Sequence, residues 1–221
     1  MPVDTRMNGI IHAALRRDLD RAAVVLADGP GPDRLRAVGE HVVWLMDFLH
    51  THHTGEDEHL FPMLRRNNPA LGDLLDDMES EHAAIAGAVT VLRDTGGRAA
   101  RGEPVAADLA EAVAALRVVL DPHLEHEERD LSPAVPGSVT EEEWAAFEKS
   151  NTSGSRPPEL AFVGHWMLDN LDVAGTTVVR SKVPAVPRFI MLRFLGGPYR
   201  KRSEACWGGT PAAQLKSEPL V

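Results

Sequence analysis

The sequence repeats itself at a separation of 71 residues. The segment 52–62, HHTGEDEHLFP, aligns without a gap on the segment 123–133, HLEHEERDLSP, so an H-x-x-x-E pattern occurs twice. A lone histidine precedes each copy, because the segment HAAL that begins at His12 aligns on HAAI beginning at His82, at a separation of 70. The chain therefore contains two related helix pairs, and repeats of this kind place related side chains at pseudo-symmetric positions.

The pattern of apolar residues predicts four long helices between residue 1 and about residue 134. Turn-forming residues at 28–32, 67–69 and 96–97 separate the first three helices and close the third. The predicted helices run over residues 4–27, 33–66, 69–95 and 104–133, and Pro62 is expected to kink the last turn of the second. Short connections between long amphipathic helices favour an all-α fold, an antiparallel four-helix bundle over residues 1–134.

Residues 135–221 are predicted to form a C-terminal extension of short helices and loops. Thr140 and Glu143 have the spacing of a capping box at the start of a helix over 140–149. A flexible linker is expected at 151–158 and a short helix at 159–171, whereas proline and glycine should break regular structure from Val183 onward. The last ten residues or so are expected to be disordered.

Charge is distributed unevenly between the two parts of the chain. Residues 1–172 carry 15 Lys and Arg against 31 Asp and Glu, whereas residues 173–221 carry 8 against 2. The basic tail 173–221 is therefore expected to dock on the acidic bundle of its own chain or of a partner copy. Its segment 188–195, RFIMLRFL, could instead lie on an anionic membrane, which is the less favoured alternative.

The two H-x-x-x-E patterns place histidine and glutamate on apolar helix faces. Residues four apart share one face of a helix, and Leu45, Leu49 and Leu60 lie on the same face as the first pair. Buried carboxylates are costly unless a positive charge pairs with them, and no Lys or Arg interrupts these faces. A bound cation would compensate them. The candidate metal ligands are His12, His52, Glu56, His82, His123 and Glu127.

Mixed imidazole and carboxylate ligands favour iron, with zinc or manganese as alternatives. Two carboxylates can bridge two metal ions, and two histidines for each ion would leave coordination positions open for a small ligand. The alternative without a metal is a bundle core in which the histidines are hydrogen-bonded to the carboxylates.

This arrangement resembles the hemerythrin-like (HHE cation-binding) family. The resemblance rests on His12, on the segment 52–62, on His82 and on the segment 123–127, and it covers about 60% of the chain. It implies a four-helix bundle that holds a non-haem di-iron centre. By the same resemblance, the four histidines are terminal ligands, and Glu56 and Glu127 bridge the two irons.

The sequence departs from the oxygen-carrying members of that family. Those members have a second histidine four residues after the ligand of the third helix, where this chain has Ala86, and they end with H-x-x-x-x-D rather than H-x-x-x-E. Fewer protein ligands leave more coordination positions of the metal ions open. The departure favours bacterial-type relatives that sense or process dioxygen, peroxide or nitric oxide over reversible oxygen carriers.

Several further residues near the repeat have two interpretations each. His53 is either solvated or an extra ligand, with Asp57 as its partner four residues on, and Glu81 is either a solvated helix charge or a ligand. His59 and His126 are expected at the surface or as hydrogen-bond partners of ligands. His41 is expected in the core or at its mouth, and His165 on a helix that packs against the bundle.

The remaining composition limits the functional classes. The net charge of −10 argues against nucleic acid as a partner, and no apolar run is long enough to cross a membrane. The single cysteine excludes an internal disulfide framework, and the N-terminus lacks a hydrophobic signal core, so a cytoplasmic location is expected. The predicted function is binding of O2, peroxide or NO. The alternatives are a peroxide-decomposing di-iron oxidoreductase, or a sensor that acts through its tail on a homo-oligomer or protein partner.

Overall fold

The computed structural model describes residues 3–182 and 185–217, with the side chains of residues 185 and 186 left out. Within these residues the regular structure is entirely helical. The sequence prediction of an all-α fold is therefore confirmed for the part of the chain that the structure describes. None of the helices in these ranges combines the length and the apolar character needed to cross a membrane.

The N-terminal part forms a helical bundle. Its helices are α1 (Arg6–Ala27), α2 (Pro32–Gly55), α3 (Phe61–Asn67), α4 (Gly72–Ala100) and α5 (Ala106–His126). Each H-x-x-x-E pattern ends in a π-helical turn, Glu56–Leu60 after α2 and Glu127–Leu131 after α5. The second predicted helix thus continues through a π-helical turn before Pro62, which lies in the first turn of α3, where proline is tolerated.

The long helices pack in a closed set of neighbours. Helix α2 contacts α4, α4 contacts α5, α5 contacts α1, and α1 contacts α2. Leucines line the space between them with no exposed surface, among them Leu15, Leu49, Leu116 and Leu120. Burial of this apolar surface supplies the main driving force for the bundle.

The third predicted helix is longer than its sequence suggested. Helix α4 runs through Gly96 and Gly97 to Ala100 instead of ending at residue 95. The reason is a close crossing with α2, because a Cβ at Gly39 would lie only 2.6 Å from the carbonyl oxygen of Gly96. Glycine serves here to bring two backbones together, so tertiary packing overrides its helix-breaking tendency.

Shorter helices make up the C-terminal extension. They are α6 (Glu141–Thr152), α7 (Pro157–Leu168), α8 (Val173–Ser181), α9 (Ala185–Phe194) and α10 (Gly197–Trp207). The capping box predicted at Thr140 and Glu143 is present, with Glu143 N donating to Thr140 Oγ1 at 3.2 Å. Helices α7 and α8 contact α1, and α10 contacts α2.

The structure differs from the prediction that regular structure ends at Val183. Helices α9 and α10 follow that point, and Gly197 and Pro198 begin α10, because proline is well accommodated in a first helical turn. The predicted disorder at the C-terminus also differs from what is seen up to residue 217. Pro211–Gln214 forms a 3₁₀ helix with Ala212 buried. Residues 183–184 and 218–221, on which parts of both predictions fall, lie outside the described residues.

A buried group of charges joins the extension to α1. Asp18 has 1% of its surface exposed and accepts hydrogen bonds from Arg17 Nε at 2.8 Å and from Trp166 Nε1 at 2.9 Å. Arg21 Nη1 donates to Asp169 Oδ2 at 2.6 Å. At this contact two guanidinium groups come from α1 and one carboxylate, Asp169, comes from the segment between α7 and α8.

Candidate metal centre

The two π-helical turns shape the interior where the two halves of the repeat meet. Ser132 N donates to Glu127 O at 2.8 Å, and Phe61 N donates to Glu56 O, so each turn holds one extra residue. Single π-helical turns inside helices occur frequently at functional sites. Here each turn begins at the glutamate of an H-x-x-x-E pattern. The repeat seen in sequence is therefore also a repeat of local backbone structure.

The first cluster of metal-ligating groups brings together α1, α2 and the end of α5. Its members are His12, His52 and Glu127. His12 Nε2 lies 3.3 Å from His52 Nε2 and also 3.3 Å from Glu127 Oε2. All three residues are buried or nearly so, which brings three electron-pair donors together away from bulk water.

The second cluster lies beside the first, between α2, α4 and α5, and consists of His53, His82 and His123. The rings of His53 and His82 are stacked with their centroids 4.0 Å apart, and the His123 ring meets that of His82 edge-on at 4.7 Å. One ligating atom from each residue lies within 4.8 Å of the others. Three imidazoles at this separation suit a single cation.

The two glutamates lie between the clusters. Glu56 Oε1 is 3.5 Å from His52 Nε2, and Glu56 Oε2 is 3.8 Å from His82 Nε2. Glu127 Oε2 lies 3.3 Å from His12 Nε2 and 4.0 Å from His123 Nε2. Each carboxylate thus faces one histidine of each cluster, which is the position required of a group that bridges two cations.

Several polar atoms at this centre are buried without a hydrogen-bond partner. They are His53 Nε2, Glu56 Oε2, His82 Nε2, His123 Nε2 and Glu127 Oε2. A buried polar atom left unpaired is costly, and such atoms call for an explanation by a ligand, an ion or a function. These five belong to imidazoles and carboxylates, which are metal-ligating types.

Burial favours the neutral form of three of these imidazoles, those of His52, His53 and His123. Burial first, and then the neighbouring His12, lower the pKa of His52 to about 3. Burial likewise places the pKa of His53 well below its usual value and lowers that of His123. Neutral imidazole is the form that binds metal ions.

The pKa values of Glu56 and Glu127 are shifted in opposite directions. Burial and the nearby Glu127 raise the pKa of Glu56 well above its usual value. Burial alone would also raise the pKa of Glu127, but the surrounding histidines, His12 and His52 first, lower it. Like charges this close disfavour double ionisation unless a cation compensates them.

A second layer of carboxylates holds the outer nitrogen of three histidines. Nδ1 of His82 lies 2.7 Å from Asp57 Oδ1, Nδ1 of His12 lies 2.9 Å from Glu128 Oε1, and Nδ1 of His123 lies 2.8 Å from Glu81 Oε2. Donation from Nδ1–H to a carboxylate leaves the lone pair of Nε2 pointing into the centre. Histidines that ligate metals almost always donate their other ring N–H to a carboxylate, a backbone carbonyl or a water molecule.

Two more polar residues extend this layer. Asn8 Nδ2 donates to Glu127 Oε1 at 2.6 Å, so only the other oxygen of Glu127 is left unpaired. His126 Nδ1 lies 2.8 Å from Glu81 Oε1, which places His126 as a hydrogen-bond partner of the residue that orients His123. The sequence predicts His126 at the surface or as a hydrogen-bond partner of a ligand, and the structure places it one residue further out, on Glu81. Nothing in the repeat marks Asn8, so the sequence does not identify it.

The structure brings all six sequence-predicted residues into this one centre and adds His53. Position 53 matches position 124 of the second repeat, which is Leu124, a fully buried residue of the apolar core. The repeat is therefore asymmetric at this point, with five histidines rather than six. Asp57, suggested as a partner of His53, pairs with His82 instead, and Glu81 is an outer partner of His123 rather than a member of either cluster.

The other histidines lie outside the centre. His41 is buried, as expected, with Nε2 2.7 Å from Asp18 Oδ2. His59 is exposed. His165 lies on α7 in the extension, where its Nε2 is 3.2 Å from Met191 O.

A comparison with protein-family models matches residues 11–135 to the hemerythrin HHE cation-binding domain. This match covers more than half of the chain. The chain belongs to the hemerythrin HHE cation-binding family. No curated protein and no solved structure gives a match.

The family match spans every member of the two clusters. It includes His12 at one end and Glu127 at the other, whereas Asn8 and the extension lie outside it. The donor set of this hemerythrin-type chain fits a pair of cations, because five imidazoles and two glutamate side chains converge and five of their atoms have no protein partner. The cation-binding property of the family therefore has a physical basis in these side chains.

Proposed function

We propose that this chain is a non-haem di-iron protein that binds dioxygen or a related small ligand such as peroxide or nitric oxide. Its fold would be an antiparallel four-helix bundle of hemerythrin type. Contacts near opposite ends of paired helices support this arrangement: Gly39 of α2 meets Gly96 of α4, whereas His53 of α2 meets His82. The unpaired, buried imidazole and carboxylate atoms carry the proposal.

In this proposal the two clusters hold one iron each. His12 and His52 would bind the first ion and His53, His82 and His123 the second, with Glu56 and Glu127 shared between them. Iron suits this mixture of imidazole and carboxylate better than calcium or magnesium, while zinc and manganese remain chemically compatible. Bound iron would supply the redox electrons and the open coordination positions that dioxygen or peroxide requires.

The unequal number of histidines favours binding of the small molecule at the cluster of His12 and His52. The cluster of His12 and His52 offers two imidazoles, whereas the other cluster offers three. The ion with fewer protein ligands has more room for an outside molecule. Asn8, which donates to Glu127 on this side, fixes the carboxylate so that one oxygen remains directed at the centre.

The protein environment would protect bound ions from exchange with solvent. Glu56 and His123 each have 1% of their surface exposed. Leu49 and Leu116, each seven residues earlier along the chain, have no exposed surface. Exclusion of water strengthens electrostatic interactions within the site. A small uncharged ligand can enter such a site more easily than a hydrated ion can leave it.

The direct test is the iron content of protein expressed with added iron. The wild type should contain about two irons per chain, the number of clusters that could hold one ion each. The double variant Glu56→Gln/Glu127→Gln should lose them, because amides cannot bridge two cations as carboxylates do. The matched control is Glu58→Gln/Glu125→Gln, which changes two exposed glutamates in the same repeat and should retain the iron.

Reaction with small ligands then distinguishes the functions. Reversible spectral change of the reduced protein with dioxygen or nitric oxide would support ligand binding, whereas steady consumption of peroxide would support a di-iron oxidoreductase. Stoichiometric zinc in place of iron would leave a metal bundle without redox function. Absence of any bound metal in the wild type would overturn the proposal and leave a buried His–Glu network.

A further inference from the structure

A chain of aromatic rings leads from the metal centre into the extension. The ring of Phe48 is stacked on that of His52 with centroids 6.5 Å apart, and it meets the Trp166 ring at 4.8 Å. Trp166 in turn lies 5.3 Å from Trp44. His52 is one of the candidate ligands, so these contacts connect the centre to a half-buried tryptophan through adjacent rings.

Three oxidisable aromatic residues, Trp44, Trp166 and Tyr199, lie along these ring contacts. The sequence has four tryptophans and one tyrosine. Trp44 contacts Phe162 at 4.8 Å, and Phe162 contacts Tyr199, the only tyrosine, at 5.4 Å. Indole and phenol are the aromatic side chains that most readily lose an electron. Their position along one line of ring contacts is therefore relevant to redox chemistry as well as to packing.

Trp166 is held in a defined setting. It has no exposed surface, and its Nε1 donates to Asp18 Oδ2 at 2.9 Å. Burial would raise the pKa of Asp18, but the charge of Arg17 and the hydrogen bond with His41 lower it strongly, so Asp18 is a carboxylate. The carboxylate that accepts from the indole N–H favours the one-electron-oxidised form of the ring, although Arg17 and Arg21 on the same carboxylate oppose this effect.

We propose that Phe48, Trp166 and Trp44 form a route for single electrons between the metal centre and the protein surface. The proposal rests on the proposed di-iron function. The candidate ligands are buried apart from His52, whose side chain is only 10% exposed, so a protein-sized reductant cannot approach the centre directly. Trp44, which also meets the Phe48 ring directly at 5.9 Å, is partly exposed, so an external one-electron donor can reach it.

The electron balance can be written with a peroxide as oxidant. A peroxide ROOH takes up two electrons and two protons to give ROH and water. Electrons that the metal ions do not supply are withdrawn from Trp166 and Trp44, and an external reductant such as ascorbate returns them. Without a reductant, one indole loses two electrons and two protons and gains the oxygen of a water molecule, so the net change is indole plus ROOH to hydroxyindole plus ROH.

Peptide mass spectrometry tests the route on the full-length protein after iron loading. One equivalent of hydrogen peroxide is added without reductant, and oxygen incorporation is measured at each tryptophan. Trp44 or Trp166 should gain one oxygen atom, whereas Trp144 should not. Trp144 is an internal control because it is also half-buried, and its ring meets that of Phe147 on the same helix, 5.3 Å away. Ascorbate present during the reaction should suppress the modification.

Phe48→Leu tests the path rather than the packing. Leucine keeps an apolar side chain at this position but removes the ring between His52 and Trp166. Oxygen incorporation at Trp44 and Trp166 should fall to the level seen at Trp144, with the iron content unchanged. A second variant, Trp44→Phe, should leave the inner indole as the site of oxidation, so the modification should accumulate at Trp166.

Each outcome separates this route from the di-iron proposal. Two irons per chain with Trp44 and Trp166 unmodified, or modified no more than Trp144, would overturn the electron route and leave the metal centre standing. Equal oxidation in Phe48→Leu and wild type would also overturn it. A wild type without iron removes the di-iron proposal, and the electron route with it.

Discussion

Oδ1 of Asp57 lies 2.7 Å from Nδ1 of His82, and the corresponding pair in the other half of the repeat, Glu128 and His12, is 2.9 Å apart. Asp57 and Glu128 each follow the glutamate of an H-x-x-x-E pattern directly. The repeat therefore contains an outer carboxylate as well as the candidate ligands. Each carboxylate orients the lone histidine of the other helix pair, which ties the two halves of the bundle together at the site.

Removal of an outer carboxylate should weaken metal binding without removing a ligand. Asp57→Ala should lower the affinity for one of the two ions by about 10- to 100-fold, because His82 loses the partner that fixes its ring and tautomer. Competition with a chelator, using zinc or ferrous iron, measures the effect. Glu58→Ala, at the exposed neighbouring position, is the control, and equal affinities in the two variants would contradict a role for Asp57.

The repeat and the helical period were sufficient to locate the centre. The i, i+4 spacing placed His52 beside Glu56 and His123 beside Glu127, and the apolar residues on the same faces indicated that they point inward. These side chains are buried and close together in the structure. This part was predictable because it depends on local spacing and on the cost of burying a carboxylate.

The inward position of His53 was not settled by the same reasoning. A step of one residue turns the direction of a side chain by about 100°, which on a helix with a single buried face would point it away from the core. Helix α2, however, has two neighbours, so His52 faces His12 of α1 while His53 faces His82 of α4. Sequence spacing shows one face of a helix, but the number of neighbours depends on tertiary packing.

The join between bundle and extension provides a test of stability. Asp18 accepts hydrogen bonds from Arg17 and Trp166, and its other contacts include His41. Asp18→Asn should destabilise the protein by about 3–5 kcal/mol, because buried guanidinium groups would lose their counter-charge. Urea unfolding of Asp18→Asn and of the exposed control Asp77→Asn measures the difference. Similar free energies of unfolding for the two variants would show that the buried charges contribute little.

The same carboxylate should make stability depend on pH. Although burial opposes it, the charge of Arg17 lowers the pKa of Asp18 in the folded protein, so the unfolded state binds the proton more readily. The stabilisation is fully present above the usual carboxyl value of about 3.9 and is lost as the pH falls below it toward the lowered pKa. The difference in free energy of unfolding between wild type and Asp18→Asn should therefore shrink below about pH 4. A constant difference down to pH 2 would contradict this assignment.

The close crossing of α2 and α4 predicts opposite effects for two glycines. A Cβ at Gly39 would lie 2.6 Å from Gly96 O and 2.7 Å from Ala100 N, both backbone atoms. Gly39→Ala should therefore cost about 1–3 kcal/mol through overpacking. Gly87 lies on an exposed part of α4 with no atom near its Cβ position, and Gly87→Ala should stabilise by about 0.5–1 kcal/mol. Thermal unfolding of both variants measures the two changes in stability. An unchanged stability of Gly39→Ala would mean that α2 and α4 move apart at little cost.

Cys206 reports on whether the extension stays docked. It has no exposed surface, its Sγ donates to Ala37 O at 3.2 Å, and burial raises its pKa to about 12. The thiolate is the reactive form, so the folded protein should react with a disulfide reagent at pH 8 far more slowly than the urea-unfolded protein does. Asp169→Ala removes the acceptor of Arg21 and Tyr199 and should accelerate labelling by loosening the extension. Rapid labelling of the wild type would show that α10 leaves the bundle readily, whereas equally slow labelling of Asp169→Ala would show that apolar packing alone keeps it in place.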